Sequence, residues 1–316
     1  MNTTAFANSS LDNNVEDYRI VALISLIFVI IAVTISTFIL ILVWITKPRL
    51  HTINHLLMCN TAFATIFYCV TMKINFAYVL FGQWNISDVS CRFRAYFAYS
   101  GVAAVIYSYL IQAISRFFFS VLSAKYRRLT SFKTHYILIV CQWIVVFLLT
   151  SPSVLTNDIH FVPNVFCWVP LEHMIHIAYT VFAYYISPIM PVVIIYVYIY
   201  VQVRKTRVNA TATSQNSQKR DLDLLRRVVI LLGIYLTGGI PTLLFMLTSV
   251  RLIYMINLVS PSVCVCIEKL CTILLDREIY QVIRAKIAQA APVTPFGTGV
   301  ILIGSEPRQR NVRHDI

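Results

Sequence analysis

Seven long apolar runs alternate with short polar gaps along the chain, at approximately 20–46, 52–80, 95–119, 135–155, 176–202, 228–249 and 252–275. Each has about 20 residues or more, the length that carries an α-helix across a ~30 Å hydrocarbon core. Lipid offers the backbone no hydrogen bonds, so only helices or a closed barrel can span it. These runs are too long and too continuously apolar for the alternating strands of a barrel. The pattern therefore predicts an all-α membrane protein, a bundle of seven transmembrane helices. Beyond the seventh run, Ile279, Ile283 and Ile287 recur four residues apart with Arg284 and Lys286 between them. That spacing suits a short amphipathic helix on the membrane surface, or equally a simple extension of span seven. From Pro292 on, proline, glycine and charges predict a flexible tail.

Composition agrees with this reading. Of 316 residues 58% are hydrophobic and 12% charged, with a mean hydropathy of +0.73, against about 45–50% apolar and ~25% charged in soluble domains. A soluble enzyme, a disordered regulator and a fibrous protein are excluded. The net charge of +13 does not point to nucleic acid, because the basic residues lie mostly in the gaps. Lys47, Arg49, Lys125, Arg127, Arg128 and Lys133 follow spans one and three. Seven more basic residues lie between Arg204 and Arg227 after span five, and Arg277, Arg284 and Lys286 follow span seven. The opposite side holds Arg19, Arg92, Arg94 and Arg251. Basic loops stay in the cytoplasm, so the N-terminus is expected outside and the C-terminus inside. Acceptor triplets for glycosylation at Asn2, Asn8 and Asn85 fall on the expected outer side. The first run follows a polar segment and is expected to act as an uncleaved anchor. The expected organisation is a glycosylated extracellular segment at 1–19, a seven-span domain at 20–276, and an amphipathic helix with a cytoplasmic tail at 277–316.

Several residues stand at characteristic places. Cys91 opens span three on the outer side and Cys167 lies in the loop before span five. These two face the oxidising exterior, where a disulfide is chemically sensible; two free thiols are the alternative. Arg116 ends span three, twenty-five residues after Cys91, in the triplet Ser115-Arg116-Phe117. Trp143 and Pro152 mark span four, Pro188 and Tyr196 span five, and Pro241 span six. Together they resemble the rhodopsin-like family of G-protein-coupled receptors over roughly 20–287. The resemblance implies a Cys91–Cys167 bridge tying the second outer loop to span three. It also implies that Arg116 is held near span six at rest and helps receive a G protein once span six swings out. Asp221, twenty residues before Pro241, stands where many members carry the acid that pairs with this arginine; Asp223 is a rival. Prolines remove a helical hydrogen bond and bend the helix, so Pro188 and Pro241 are expected kinks.

The chain departs from the family in several places. Gly238-Gly239-Ile240 replaces the aromatic before the span-six proline. The span-two aspartate position is Ala64, the span-one asparagine position Ser36, and Glu268-Lys269-Leu270-Cys271-Thr272 stands where Asn-Pro-x-x-Tyr is expected. The family's sodium site and span-seven switch are therefore not implied. The amine-binding aspartate position of span three is Ala98, against an amine ligand. Lys269 lies about 25 Å along span seven at 1.5 Å per residue, too deep for a retinal lysine, and is expected with Glu268 to face the inner end or snorkel. Lys73, roughly 30 Å along span two, can meet an anionic ligand or a peptide carboxylate, or snorkel to the outer interface. Tyr96, Tyr99, Tyr254 and Asn257 complete the candidate ligand pocket.

The expected function is a plasma-membrane receptor that binds an extracellular ligand, a peptide or an anionic small molecule, and activates a heterotrimeric G protein by displacement of span six. Its expected partners are that ligand, the G protein and the bilayer. No nucleic acid, cofactor, metal or enzymatic activity is expected. The competing reading is a transporter, a channel or a non-signalling seven-span protein. Transport sites are built from intramembrane polar groups, repeats or broken helices; no internal repeat and no central carboxylate is read from the sequence.

Overall fold

A computed structural model describes residues 3–46, 50–81, 87–122, 126–159, 167–169, 173–206, 212–248 and 250–290. They form α1 (Thr3–Ile45), α2 (Ile53–Phe81), α3 (Asp88–Phe117) and α4 (Phe132–Thr150). Next comes α5, built from Met174–Thr180, a π-helical stretch Val181–Ile186 and Ser187–Thr206. Then follow α6, in two pieces Ala212–Thr237 and Ile240–Thr248, α7 (Arg251–Leu275) and α8 (Arg277–Ala290). A π-helical turn Phe118–Leu122 extends α3, and short turns Arg127–Thr130 and Pro152–Leu155 flank α4. The architecture is a seven-helix membrane bundle with α8 appended.

Caps explain where several helices start. Ser87 accepts from the amide of Ser90, and Asp88 sits in the first turn, where an acid favours the helix dipole. This starts α3 well before its apolar run. Ser131 caps α4 in the same way. Asp276 Oδ1 accepts from the amides of Glu278 and Ile279 at 3.0 and 3.2 Å. This ends α7 and begins α8 as a separate helix, which resolves the choice left open by the isoleucine spacing. Ile279 and Val282 pack with Leu50, Ile39, Leu42 and Met58 in a small core of their own. At the other end of the chain, α1 runs back to Thr3, far before the apolar run. Residues 3–18 hold no glycine or proline, and extending a formed helix is easy compared with starting one.

The centre of the bundle is α3, buried almost continuously from Ala98 to Tyr109. Small residues let neighbours approach: a Cβ on Gly101 would lie 2.7 Å from the Tyr68 Cα of α2. Water does not drive association between helices in lipid, so close packing and interhelical hydrogen bonds hold the bundle. Asn60 of α2 donates to Gln142 Oε1 (2.7 Å) and accepts from Trp143 Nε1 (3.1 Å), both on α4. Gln142 in turn donates to the Ala104 carbonyl of α3 at 3.1 Å. Gln112 donates to Thr61 (2.7 Å), and Ser100 pairs with Thr150 (2.7 Å). Apolar side chains such as Ile137, Val140, Ile144 and Leu148 on α4 point outward, as lipid-facing positions must.

The two expected kinks take different forms. In α5 the widened turn lies just before Pro188, whose missing N–H leaves a carbonyl in the preceding turn without its helical donor. Tyr107 of α3 donates its hydroxyl to the Ala183 carbonyl at 2.9 Å. In span six the helix breaks at Gly238-Gly239 rather than bending at Pro241. Pro241 stands at the second position of the new segment, where a missing N–H costs nothing. Ser260 of α7 donates to the Gly238 carbonyl at 2.9 Å. A Cβ on Gly238 would stand 3.1 Å from both Pro261 Cα and Cys264 Cβ, so the break seats α6 directly on α7. Because of it, six helices among the described residues are long and apolar enough to cross a membrane, and the two pieces of α6 are not among them.

Candidate functional site

One end of the bundle carries the disulfide. Cys91 and Cys167 are bonded, with Cα atoms 5.3 Å apart. The bond fixes the loop before α5 over α3. Trp168 lies on the Tyr99 ring with centroids 4.0 Å apart, and the Val169 amide donates to the Tyr99 hydroxyl at 3.2 Å. Arg92 donates to Asn157 Oδ1 at 2.6 Å. Asp158 meets the Nδ1 of His176 at 2.7 Å and that of His173 at 3.5 Å. The His176 hydrogen bond holds the Asp158 carboxyl below the usual carboxylate range, with help from Thr156 and the charge of His173.

The described members of the expected pocket have different surroundings. Tyr99 is fully buried beneath Trp168 and against Tyr184. Tyr96 turns toward α4, donating to the Phe147 carbonyl at 3.3 Å. Lys73 is exposed and Asn257 half-buried, while the Tyr254 side chain lies outside the described residues. So do Asn2 and Asn85, and the side chain of Asn8 on α1.

The opposite end carries Arg116, only 6% exposed, at the last turn of α3. Its guanidinium donates to Asn54 Oδ1 of α2. Beside it Ser115 meets His135 Nε2 of α4 at 2.9 Å. His55, next to Asn54, lies 3.8 Å from Asp276 and 3.7 Å from Glu278, joining α2 to the start of α8. The Asp221 side chain lies outside the described residues, and with it the expected Arg116–Asp221 pair; Asp223 is exposed on α6. Tyr196 of α5 is half-buried and stacks with Tyr200.

Deeper in the bundle lies a cluster that the sequence reading did not assemble. Glu268 and Lys269 are wholly buried, at 0% and 1% exposure, and neither snorkels. Lys269 Nζ stands 3.1 Å from Glu268 Oε2. Tyr109 of α3 donates to Glu268 Oε1. Thr272 donates to the Glu268 carbonyl at 2.9 Å and reaches Oε1 at 3.3 Å. The bundle thus does hold a central carboxylate, with its counter-charge supplied by the next residue. Two adjacent ionisable residues within an apolar run were the available signal; the partner Tyr109, 159 positions away in sequence, was not. Asn54 carried no signal at all. A cavity of about 50 Å³ lies between these groups, lined by Asn54, Tyr109, Gln112, Glu268 and, from α6, Arg227 and Leu231 among others.

Comparison with known proteins adds four findings. Residues 36–276 match the 7 transmembrane receptor (rhodopsin family). The Neuromedin-K receptor of Cavia porcellus is 31% identical over 128 residues, 40% of this chain and 29% of that protein. Its counterpart from Homo sapiens is 28% identical over 160 residues, covering 48% and 34%, and the Muscarinic acetylcholine receptor M3 of Gallus gallus is 25% identical over 162 residues, covering 48% and 25%. The chain spans about a third or less of the length of these curated relatives.

Proposed function

Because the chain belongs to the rhodopsin family of seven-transmembrane receptors, we propose that it is a plasma-membrane receptor that couples an extracellular ligand to a heterotrimeric G protein. The disulfide end faces outward and the Arg116 end faces the cytoplasm, as the basic loops require. The ligand is a peptide or an anionic small molecule. The similarity to receptors named for neuromedin K supports a peptide, and Ala98, where an amine receptor needs an acid, opposes an amine despite the muscarinic relative.

The observation that carries the reading is the Arg116 guanidinium, buried at the end of the central helix and hydrogen-bonded to Asn54. A buried guanidinium requires acceptors. Here a neutral amide on α2 provides one, with Asp221 of α6 proposed as a second. In the resting state Arg116 is thereby kept from the cytoplasmic surface. Outward movement of α6 about the Gly238-Gly239 break releases it to the G protein, and Tyr196 lines the vacated space from α5. Ligand and G protein favour the same open state, so each raises the other's affinity by the same factor.

The test is nucleotide exchange on a panel of purified G proteins, using membranes that carry the wild type or Arg116→Ala at equal surface density. Basal exchange in the wild type that disappears in the variant is expected. Exchange that is equal in the two overturns the assignment of Arg116.

A further inference from the structure

We infer that Tyr109, Glu268 and Lys269 form a pin that holds α7 against α3 in the resting bundle and sets how readily the Arg116 end opens. The last clause rests on the coupling reading above; the pin itself does not.

Stability alone does not account for the cluster. All three residues are at most 1% exposed, and apolar residues of similar volume often serve as well as or better than a buried ion pair. Glu268 and Lys269 share one helix, so their pairing ties nothing together by itself. What crosses between helices is the Tyr109 hydroxyl, donated to Glu268 Oε1. Lys269 neutralises the carboxylate in place, and Thr272 steadies it from the next turn. The bond to α3 is therefore charge-assisted, stronger than one between neutral groups.

Its position gives it leverage. Tyr109 precedes Arg116 by seven residues on α3, ~10 Å along the helix. The cavity beside the cluster is also lined by Leu231, Val228 and Arg227 of α6, the segment that moves in the proposed opening. Removing that wall admits water to Glu268 and Lys269, and water competes for the bond that Tyr109 makes. Loosening of the pin and departure of α6 thus favour one another. In the closed bundle the same bond opposes both.

A thiol reports on the pin without any G protein. Cys69, fully buried on α2, lies within electrostatic reach of Glu268 and Lys269. The purified full chain in lipid nanodiscs is treated with N-ethylmaleimide, and modification of Cys69 is followed by mass spectrometry. Tyr109→Phe keeps the ring and removes only the hydroxyl; it should speed labelling by about tenfold or more, the effect of losing one hydrogen bond to a charged group. Glu268→Gln/Lys269→Met keeps a neutral acceptor and should speed it less. Labelling of folded Tyr109→Phe at the wild-type rate overturns the pin. Basal nucleotide exchange is measured on the same variants. If Tyr109→Phe raises labelling but not exchange, while Arg116→Ala abolishes wild-type exchange, the regulatory role is overturned and coupling stands. If Arg116→Ala leaves exchange unchanged, the coupling reading fails, and the labelling rates still decide the pin.

Discussion

Replacing Asn54 by alanine removes the acceptor that the Arg116 guanidinium uses on α2. The bond has one charged partner, and Arg116 is 6% exposed, so water screens it little. Such bonds contribute about 1.5–3 kcal/mol. At about 1.4 kcal/mol per factor of ten, the closed state loses roughly ten- to hundredfold against an open state in which the bond is absent. If the open state is populated at a few per cent or less, as minor states commonly are, basal activity should rise about tenfold in Asn54→Ala before it saturates. The assay is the initial rate of basal nucleotide exchange per surface receptor. Asn54→Asp keeps an acceptor and adds a charge, and should lower the rate below wild type. Asn54→Ala/Arg116→Ala should show none, because the gain acts through the arginine. Exchange by Asn54→Ala at or below the wild-type rate, with equal surface expression, refutes the hold.

Asp221→Ala should also raise basal exchange; unchanged or lower exchange at equal expression removes Asp221 from the resting state. Gly101→Ala should destabilise the bundle by about 1–3 kcal/mol through overpacking, since its Cβ would meet the Tyr68 backbone at 2.7 Å; an unchanged thermal midpoint in detergent contradicts the close crossing. The Asp158 carboxyl is lowered by its hydrogen bond with His176, so its stabilisation is fully present above the ordinary carboxylate pKa of about 3.9. It is lost as pH falls through the lowered value. The wild-type thermal midpoint should therefore drop more steeply below about pH 4 than that of Asp158→Asn, and parallel curves would show that the clasp contributes nothing.

The sequence carries the bundle clearly because lipid imposes a length and composition on every span, and each apolar run overlaps an observed helix, although the fourth passes the end of α4 and the sixth crosses the break in α6. The Cys91–Cys167 bond was legible because the expected topology leaves those two cysteines in one oxidising compartment, and Arg116 because a charge at the end of a buried helix stands out. Features set by contacts between distant segments were less legible. Pro241 drew the expected kink, but Gly238 is where α6 touches α7, and only packing against Pro261 and Cys264 shows how little room a side chain has there. The widened turn of α5 depends on Tyr107 reaching across from α3. Glu268 and Lys269 were visible as charges, yet their burial depends on mutual neutralisation and on Tyr109. Asn54 is an ordinary polar residue at a helix start until Arg116 is brought beside it. The candidate ligand pocket was the hardest part to read, because tyrosines serve packing, capping and binding alike: Tyr99 packs against Trp168 and Tyr96 bonds to α4.

Movement of α6 away from the Arg116 end on G-protein binding can be read as a distance. Spin labels are placed on the exposed residues Lys133 of α4 and Arg226 of α6, in a background lacking the free cysteines. Their separation is then recorded in nanodiscs with and without a nucleotide-free G protein selected by the exchange assay. The account predicts a longer distance population that appears with the G protein and is already enlarged in Asn54→Ala. A single distribution that stays unchanged on binding, in wild type and variant alike, would contradict it.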